Sequence, residues 1–572
     1  MVRRQGRTIK PMLRNHEDRL GWSASLLLAI LVLIPLAAVI IQVLLPGVFF
    51  GEWRIGNLSL LLDIFKRPLW QKSLENSVVL AVSTTLFGTL LGGILAMVRS
   101  TWRFPTARLL DTAVWMLLIA PSFILSQGWV MFAAQNGFAA RLLGWDWVPG
   151  LIFQPAGLVL VMTLSKFPLA YLSVRAAMEW KVEQLSEAAK LCGASKFRVW
   201  RTIQAPLLLP AFLAGAALVF MDTIGDFGLP ASIAAIYRFP TLPYSIYTAV
   251  YTSPIRFDMA GVLSFYLVLL ISLAMLLQFY ALRRSRFDFL TGRAVAAEPK
   301  PVGRYGMLLA GGNVLFLLIV IGIPLGGNLL MSVFETQSAG FTWSNLTLSH
   351  YASLFEGRQE LFVGIRRSLL VSACAAMLGL VVGVMVSYVL TYSQFRFKRG
   401  IEVFSLVSLA VPGVVLGIGY IFVWNQKWLE PFGLMLYGKP AILVLAAIAG
   451  AIPVITRVMV GAMAKVPRSL LDAAQLQGTP FLQRIRLILL PLVRGALLSA
   501  ALAAFGSSVF DLAVNSILFP PNYMTLPVTI NKAFEDLDYG YASAATVFGG
   551  GIVILIILLL ELLLRRKGRQ TT

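Results

Sequence analysis

The chain is poor in the groups that carry chemistry. Its 572 residues include two histidines, His16 and His350, so no histidine-based metal site is expected. The two cysteines, Cys192 and Cys374, are too few for a disulfide framework or a metal cluster. Charged residues make up 13%, about half of the ~25% usual in soluble domains. No G-x-x-x-x-G-K-[ST] phosphate loop occurs, so no ATP hydrolysis is expected of this chain. Nor does any convergent acid, base or metal cluster stand out, as a polytopic membrane enzyme would require.

What is abundant is apolar sequence, at 58%. It falls into runs of about 20 residues, the length a helix needs to cross a bilayer. Twelve are legible: 22–45, 77–98, 111–135, 151–175, 206–225, 259–282, 307–332, 368–392, 401–424, 441–463, 490–511 and 545–564. The runs are continuous and not alternating, which selects helices over barrel strands. The expected fold class is therefore an all-α polytopic membrane protein embedded in a lipid bilayer. The first run is longer than a signal-peptide core and is read as an uncleaved helix.

A net charge of +22 could suggest nucleic acid, but its distribution excludes that partner. About 33 of the 48 Lys and Arg fall in segments on one side of the membrane, the positive-inside pattern. Both termini are placed on that cytoplasmic side.

The chain also repeats itself. Ser77 matches Ser368, Gly88 matches Gly379, Gly92 matches Gly383, Pro121 matches Pro412 and Gly128 matches Gly419. Further on, Phe167-Pro168 matches Ile452-Pro453, Asp226 matches Asp511, and Thr241-Leu242-Pro243 matches Thr525-Leu526-Pro527. Each half has six runs, an even number, so the halves share one orientation. The expected organisation is a cytoplasmic segment 1–21, a first half 22–282, a Pro-stiffened basic linker 283–306, a second half 307–564 and a tail 565–572. Outer loops are expected near 46–76, 136–150, 225–258, 333–367, 425–440 and 512–544, with interfacial Trp anchors.

Two polar segments, 182–206 and 467–491, are the most informative. The first carries Glu187-Ala188-Ala189, then Gly193, Ile203 and Ala205-Pro206. The second carries Asp472-Ala473-Ala474, then Gly478, Ile488 and Leu490-Pro491, without a gap between the copies. Each reads as a short amphipathic helix stopped by a left-handed glycine, then a second helix. Ser195 starts that second helix in one copy; in the other, Pro467 opens the first helix and Thr479-Pro480 caps the next with Pro at its first position.

This pattern resembles the EAA loop (EAA-x3-G-x9-I-x-LP) of importer-type ABC permeases, the loop that grips the ATPase subunits. Asp472 replaces Glu, and Ala205 replaces Leu; both keep charge or apolarity. The resemblance covers nearly the whole chain. It implies a fused permease of type I importer fold, with two parallel six-helix repeats in a bacterial inner membrane. It further implies two ATP-binding cassette subunits that hold the ATP, a solute-binding protein outside, no cofactor in this chain, and alternating access. Glu187, Ala188, Ala189, Gly193, Asp472, Ala473, Ala474 and Gly478 take the ATPase-coupling role by that resemblance.

A path between the halves should be lined by polar groups, which are costly within membrane helices. The candidates are Asp226 and Asp511, read at the outer ends of equivalent helices, with Asp222, Ser507 and Ser508 nearby. Together they would favour a cation. Lys166, beside Pro168, is read as snorkelling. The stretch Asp226-Phe227-Gly228-Leu229-Pro230 with Thr241 to Tyr247 is similar to ferric iron permeases, and also fits 2-aminoethylphosphonate, thiamine or polyamine branches. An ion-coupled secondary transporter is the remaining alternative, but it would need more acids buried in mid-helix.

Overall fold

A computed structural model describes residues 16–50, 59–178, 188–284, 299–339, 342–355 and 360–569. The first half contains α1 (His16–Leu44), α2 (Pro68–Thr101), α3 (Ala107–Ile119), α4 (Ser122–Ala133), α5 (Pro155–Met178), α6 (Lys196–Ile224), α7 (Leu242–Tyr251) and α8 (Phe257–Arg284). The second contains α9 (Gly303–Val333), α10 (Glu360–Tyr392), α11 (Lys398–Ala410), α12 (Gly413–Trp424), α13 (Pro440–Met463), α14 (Arg468–Leu476), α15 (Phe481–Leu492), α16 (Arg494–Val509), α17 (Leu512–Leu518), α18 (Leu526–Glu535) and α19 (Tyr539–Arg569). Among the described residues, 9 helices are long and apolar enough to span a membrane, or 11 when each bent pair is one span. The expected run 401–424 divides between α11 and α12, of which only α12 is a short apolar helix.

Prolines shape these helices in two ways. Pro121 and Pro412 break them, because the residue before a proline is pushed out of helical geometry. Ala120 and Val411 are accordingly extended, and α3 meets α4 at 107°. Elsewhere the proline stays inside and widens the turn before it. Pro35, Pro206, Pro324 and Pro491 each follow a five-residue π-type turn, at Ala29–Leu33, Trp200–Gln204, Leu318–Gly322 and Ile485–Leu489. A proline ring crowds the carbonyl four residues back and offers no N–H, so the turn opens.

The core of each half is a close pair of long helices. A Cβ on Gly92 would lie 2.4 Å from the Phe167 carbonyl oxygen on α5, and one on Gly383 would lie 2.4 Å from Ile455 on α13. Small residues let these backbones approach where lipid offers no hydrophobic drive.

The first helices are exchanged. A Cβ on Gly419 of α12 would lie 2.3 Å from the Pro35 oxygen of α1, and one on Gly128 of α4 would fall on the Pro324 oxygen of α9. Each half thus packs its opening helix on the other half's broken helix. The linker adds a short parallel strand pair, β1 (Trp102–Arg103) with β2 (Lys300–Pro301).

Two segments expected as outer loops are folded into the bundle. Residues 225–258 include α7, and Leu229, Ile233, Leu242 and Ile246 are buried. Residues 512–544 include α17 and α18, with Leu518, Leu526 and Ile530 buried. Their apolar composition drives this, and one hydroxyl per half makes it affordable to the backbone. The Leu242 N–H donates to Ser77 Oγ at 2.7 Å, and the Leu526 N–H to Ser368 Oγ at 2.9 Å. The matched Ser77 and Ser368 therefore seat α7 and α18 against α2 and α10.

Candidate functional site

The two polar loops close in the same way. In the first, the amides of Cys192, Gly193 and Ala194 donate to the carbonyls of Ala188, Lys190 and Ala189 at 3.1, 2.9 and 3.0 Å. In the second, those of Gln477, Gly478 and Thr479 donate to Ala473, Gln475 and Ala474 at 3.3, 2.9 and 3.1 Å. Gly193 has φ +83° and Gly478 φ +80°, the left-handed geometry of a Schellman stop. Glu187, with 179–186, lies outside the described residues. Asp472 and Ala473 are exposed and Ala474 is partly so, as are Ala188 and Ala189 in the first copy.

After the turn, Ser195 caps α6 by accepting the Arg198 N–H at 3.3 Å. The second copy differs from expectation by one position. Pro480 is itself the cap residue before Phe481, and no side chain caps α15. The Thr479 amide is already taken by the Ala474 carbonyl, which fixes the start of the next helix one residue later.

Sequence reasoning missed the apolar residues that these loops display. Leu191 is 91% exposed and its counterpart Leu476 80%; Phe197 is 67% exposed and its counterpart Leu482 73%. Large apolar groups thus stand open at matching places in the two loops. Their signal was the repeat itself, which keeps each bulky and apolar within a polar segment.

Between the halves lies an open cavity of about 880 Å³. Its walls come from equivalent places: the breaks at Pro121 and Pro412, and the turns at Gly225–Gly228 and Phe510–Ala513. Lys166 and Leu169 of α5, Gln278 of α8 and Arg457 of α13 complete it. Asp222, Asp226 and Asp511 all line the cavity. Ser507 and Ser508 do not: the Ser507 hydroxyl donates to the Ala504 carbonyl at 3.1 Å, and Ser508 accepts from Ser372 of α10 at 3.2 Å. The first bond lies within α16 and the second joins α16 to α10.

The acidic pair is not an open outer mouth. Lys166 Nζ lies 2.6 Å from Asp222 Oδ2 and 2.5 Å from Asp226 Oδ2. Asp226 Oδ1 also accepts from Ser122 Oγ at 2.9 Å and from the Leu229 N–H at 3.1 Å. Asp226 does lie at a helix end, in the turn just after α6 stops at Ile224, but its side chain is buried against Lys166, which stands midway along α5. The lysine does not snorkel, because its counter-charges are within the bundle. Asp511 keeps only the capping role: its Oδ1 accepts from the Val514 N–H at 3.0 Å. At the position matching Lys166 stands Ala451, and at that matching Asp222 stands Ser507. Arg457, exposed on the cavity wall, is a charge the sequence reading passed over; a lone arginine in an apolar run was its signal.

Comparison with known proteins agrees with this duplicated architecture. The family described as "Binding-protein-dependent transport system inner membrane component" matches twice, over residues 88–287 and 377–570. The chain belongs to that family. The ferric transport system permease protein FbpB of Actinobacillus pleuropneumoniae is 22% identical over 535 residues, covering 91% of this chain and 74% of that protein. A putative FbpB of Haemophilus influenzae is 21% identical over 86% of this chain and 76% of its own length. The molybdenum transport system permease protein ModB of Escherichia coli is 31% identical over 195 residues, 33% of this chain and 83% of that protein. This permease is therefore a fused, multi-pass inner-membrane component of an ABC importer that works with ATPase subunits and a solute-binding protein.

Proposed function

We propose that this one chain forms the complete membrane passage of an ATP-driven importer of ferric iron. Two cassette subunits dock on the two loops, 182–206 and 467–491, and a solute-binding protein delivers cargo from the opposite face. Both termini and both loops face the cytoplasm. The passage alternates between outward and inward access as the cassettes close and reset. The observation that carries the coupling role is the matched pair of left-handed turns at Gly193 and Gly478, each beside an exposed leucine. No described atom of the chain beyond their immediate neighbours lies within 4 Å of where a Cβ would stand on either glycine, so the space is free for a partner.

Replacing both glycines by valine tests it. A left-handed residue with a branched side chain costs about 1–2 kcal/mol or more, and helices this short are marginal alone. G193V with G478V is expected to abolish uptake while the protein still inserts and accumulates. Wild-type uptake in that variant contradicts the coupling role. Crosslinks from 188–193 and 472–478 are expected to trap the ATPase subunits.

Iron as cargo is supported by the relatives that match over nearly the full chain, and by the three carboxylates on the cavity. Uptake of radiolabelled ferric iron by cells expressing the permease with its cognate partners checks it. One observation favours a second reading. Arg457 places an exposed guanidinium on the same cavity, which suits a solute bearing both charges, such as 2-aminoethylphosphonate. Competition between the two solutes in the uptake assay separates the readings.

A further inference from the structure

We propose that Glu17 and Arg468 form a strut that carries motion of the second loop helix, α14, into α1, the exchanged helix of the other half. This rests on the coupling role given to 467–491.

Arg468 is the first residue of α14, and its guanidinium is held on three sides. One nitrogen donates to the Tyr392 carbonyl at the end of α10, at 2.7 Å. Another reaches Glu17 Oε1 at 3.4 Å. The third lies 3.7 Å from Asp472 Oδ1, the acidic residue of the motif itself. Glu17 Oε2 also accepts from the Gln394 amide at 3.4 Å, so the first turn of α1 is tied to both ends of this corner. Tyr392 is fixed in turn, its hydroxyl donating to the Met463 and Val466 carbonyls at 2.6 and 3.0 Å.

The second helix of the loop is gripped by the neighbouring residue. The His16 ring stacks on Phe481, with centroids 6.1 Å apart and planes within 3°. Phe481 opens α15 and is also met edge-on by Tyr388 at 5.4 Å. Both helices of the loop therefore touch the first turn of α1. From there α1 runs to Pro35, packed on Gly419 of α12, the helix that starts after the Pro412 break. Farther along, Gln42 packs against Gly261 of α8, which carries Gln278 on the cavity. The line of contacts joins a loop that faces the partner to two walls of the cavity, through one continuous helix.

The first half uses its cytoplasmic charges otherwise. Arg99 pairs with Asp111 at 2.7 Å, Arg175 pairs with the same carboxylate, and Tyr171 donates to it at 2.8 Å. That cluster ties α2, α3 and α5 to one another. The matching residues in the second half are Leu390, Glu402, Val460 and Thr456, which cannot rebuild it.

The Glu17–Arg468 contact is long, at 3.4 Å, and its arginine end is 43% exposed though Glu17 is largely buried, so it adds little to fold stability. The strut therefore acts on transmission and not on assembly, and the experiment reads transmission. The importer, with its ATPase and the cognate binding protein as purified, is reconstituted in lipid vesicles. The readout is the rise in ATP hydrolysis induced by the binding protein. E17Q and R468Q are each expected to cut that rise about fivefold, the low end of site-to-site couplings, with yield and thermal midpoint unchanged. E17D, which keeps the charge and leaves every bond of Arg468 to Tyr392 and Asp472 in place, is expected to recover more than half of it. An unchanged rise in E17Q, or an E17D variant no better than E17Q, overturns the strut. E17Q decides if R468Q fails to assemble through its lost bond to Tyr392. Unchanged rises with crosslinks from 472–478 to the ATPase intact overturn the strut alone; absence of those crosslinks overturns the coupling role as well.

Discussion

The two halves share a backbone plan and differ in where charge holds it. Their loops end in the same three hydrogen bonds, and their inner helices are seated by the same serine. In the first half an ion triad, Lys166 with Asp222 and Asp226, pins the turn after α6 to α5. In the second half that turn has no ion pair among the described residues: Asp511 caps α17, and its carbonyl accepts from the Asn515 side chain. The α6 helix runs unbroken from the loop to its turn, whereas α15 and α16 bend by 81° beside Gly495, a poor helix former. Conversely, the second loop is tied by Arg468 and by Arg484, which donates to Gln475 at 2.7 Å, where the first half has Val199. The first half thus has charge ties at the cavity and between α2, α3 and α5, and the second half has them at its loop. The duplicated backbone thus keeps its turns and helix seats alike while its charged contacts diverge.

The sharpest way to break this comparison is at Lys166. Truncation by K166A leaves a buried carboxylate without its counter-charge, a loss of about 3–5 kcal/mol. The apparent unfolding midpoint in detergent should fall steeply. Adding D222N and D226N to K166M should recover much of it, since removing charges together leaves none stranded. If K166A is no worse than an average surface change, the triad does not hold the first half.

Much of this was legible beforehand because repetition in sequence is repetition in structure. Gly193 and Gly478 announced left-handed stops, since backbone geometry at such residues is local. The family and the duplication followed. Burial was not legible. Asp226 and Asp511 match in sequence, but what each touches depends on Lys166 and Ala451, some 60 residues earlier. The same holds for residues 225–258, whose polar punctuation reads as a loop until Ser77 supplies the acceptor that lets α7 enter the bundle. The exchange of α1 and α9 left no periodic trace, being a matter of which half each helix packs on.

Where the halves are alike, equal damage is expected. S77A and S368A each strip a buried N–H of its acceptor, a cost of about 1–3 kcal/mol. Their unfolding midpoints should drop by the same amount within error. A large drop for one alone would mean that α7 and α18 contribute unequally, and that the asymmetry extends beyond charge.

The smallest effect is expected at Asp511, and it bears on cargo. Asparagine caps a helix about as well as aspartate, so D511N should shift stability by no more than about 0.5 kcal/mol. D226N, by contrast, leaves Lys166 with only the half-exposed Asp222 and should cost more. Stability and transport therefore separate at Asp511 but not at Asp226. If the cavity carries a cation, D511N alone should slow uptake with little change in the folded protein, and D226N with D511N should slow it further. Unchanged uptake kinetics in the double variant would remove the carboxylates from the path and leave Arg457 as the group to vary next.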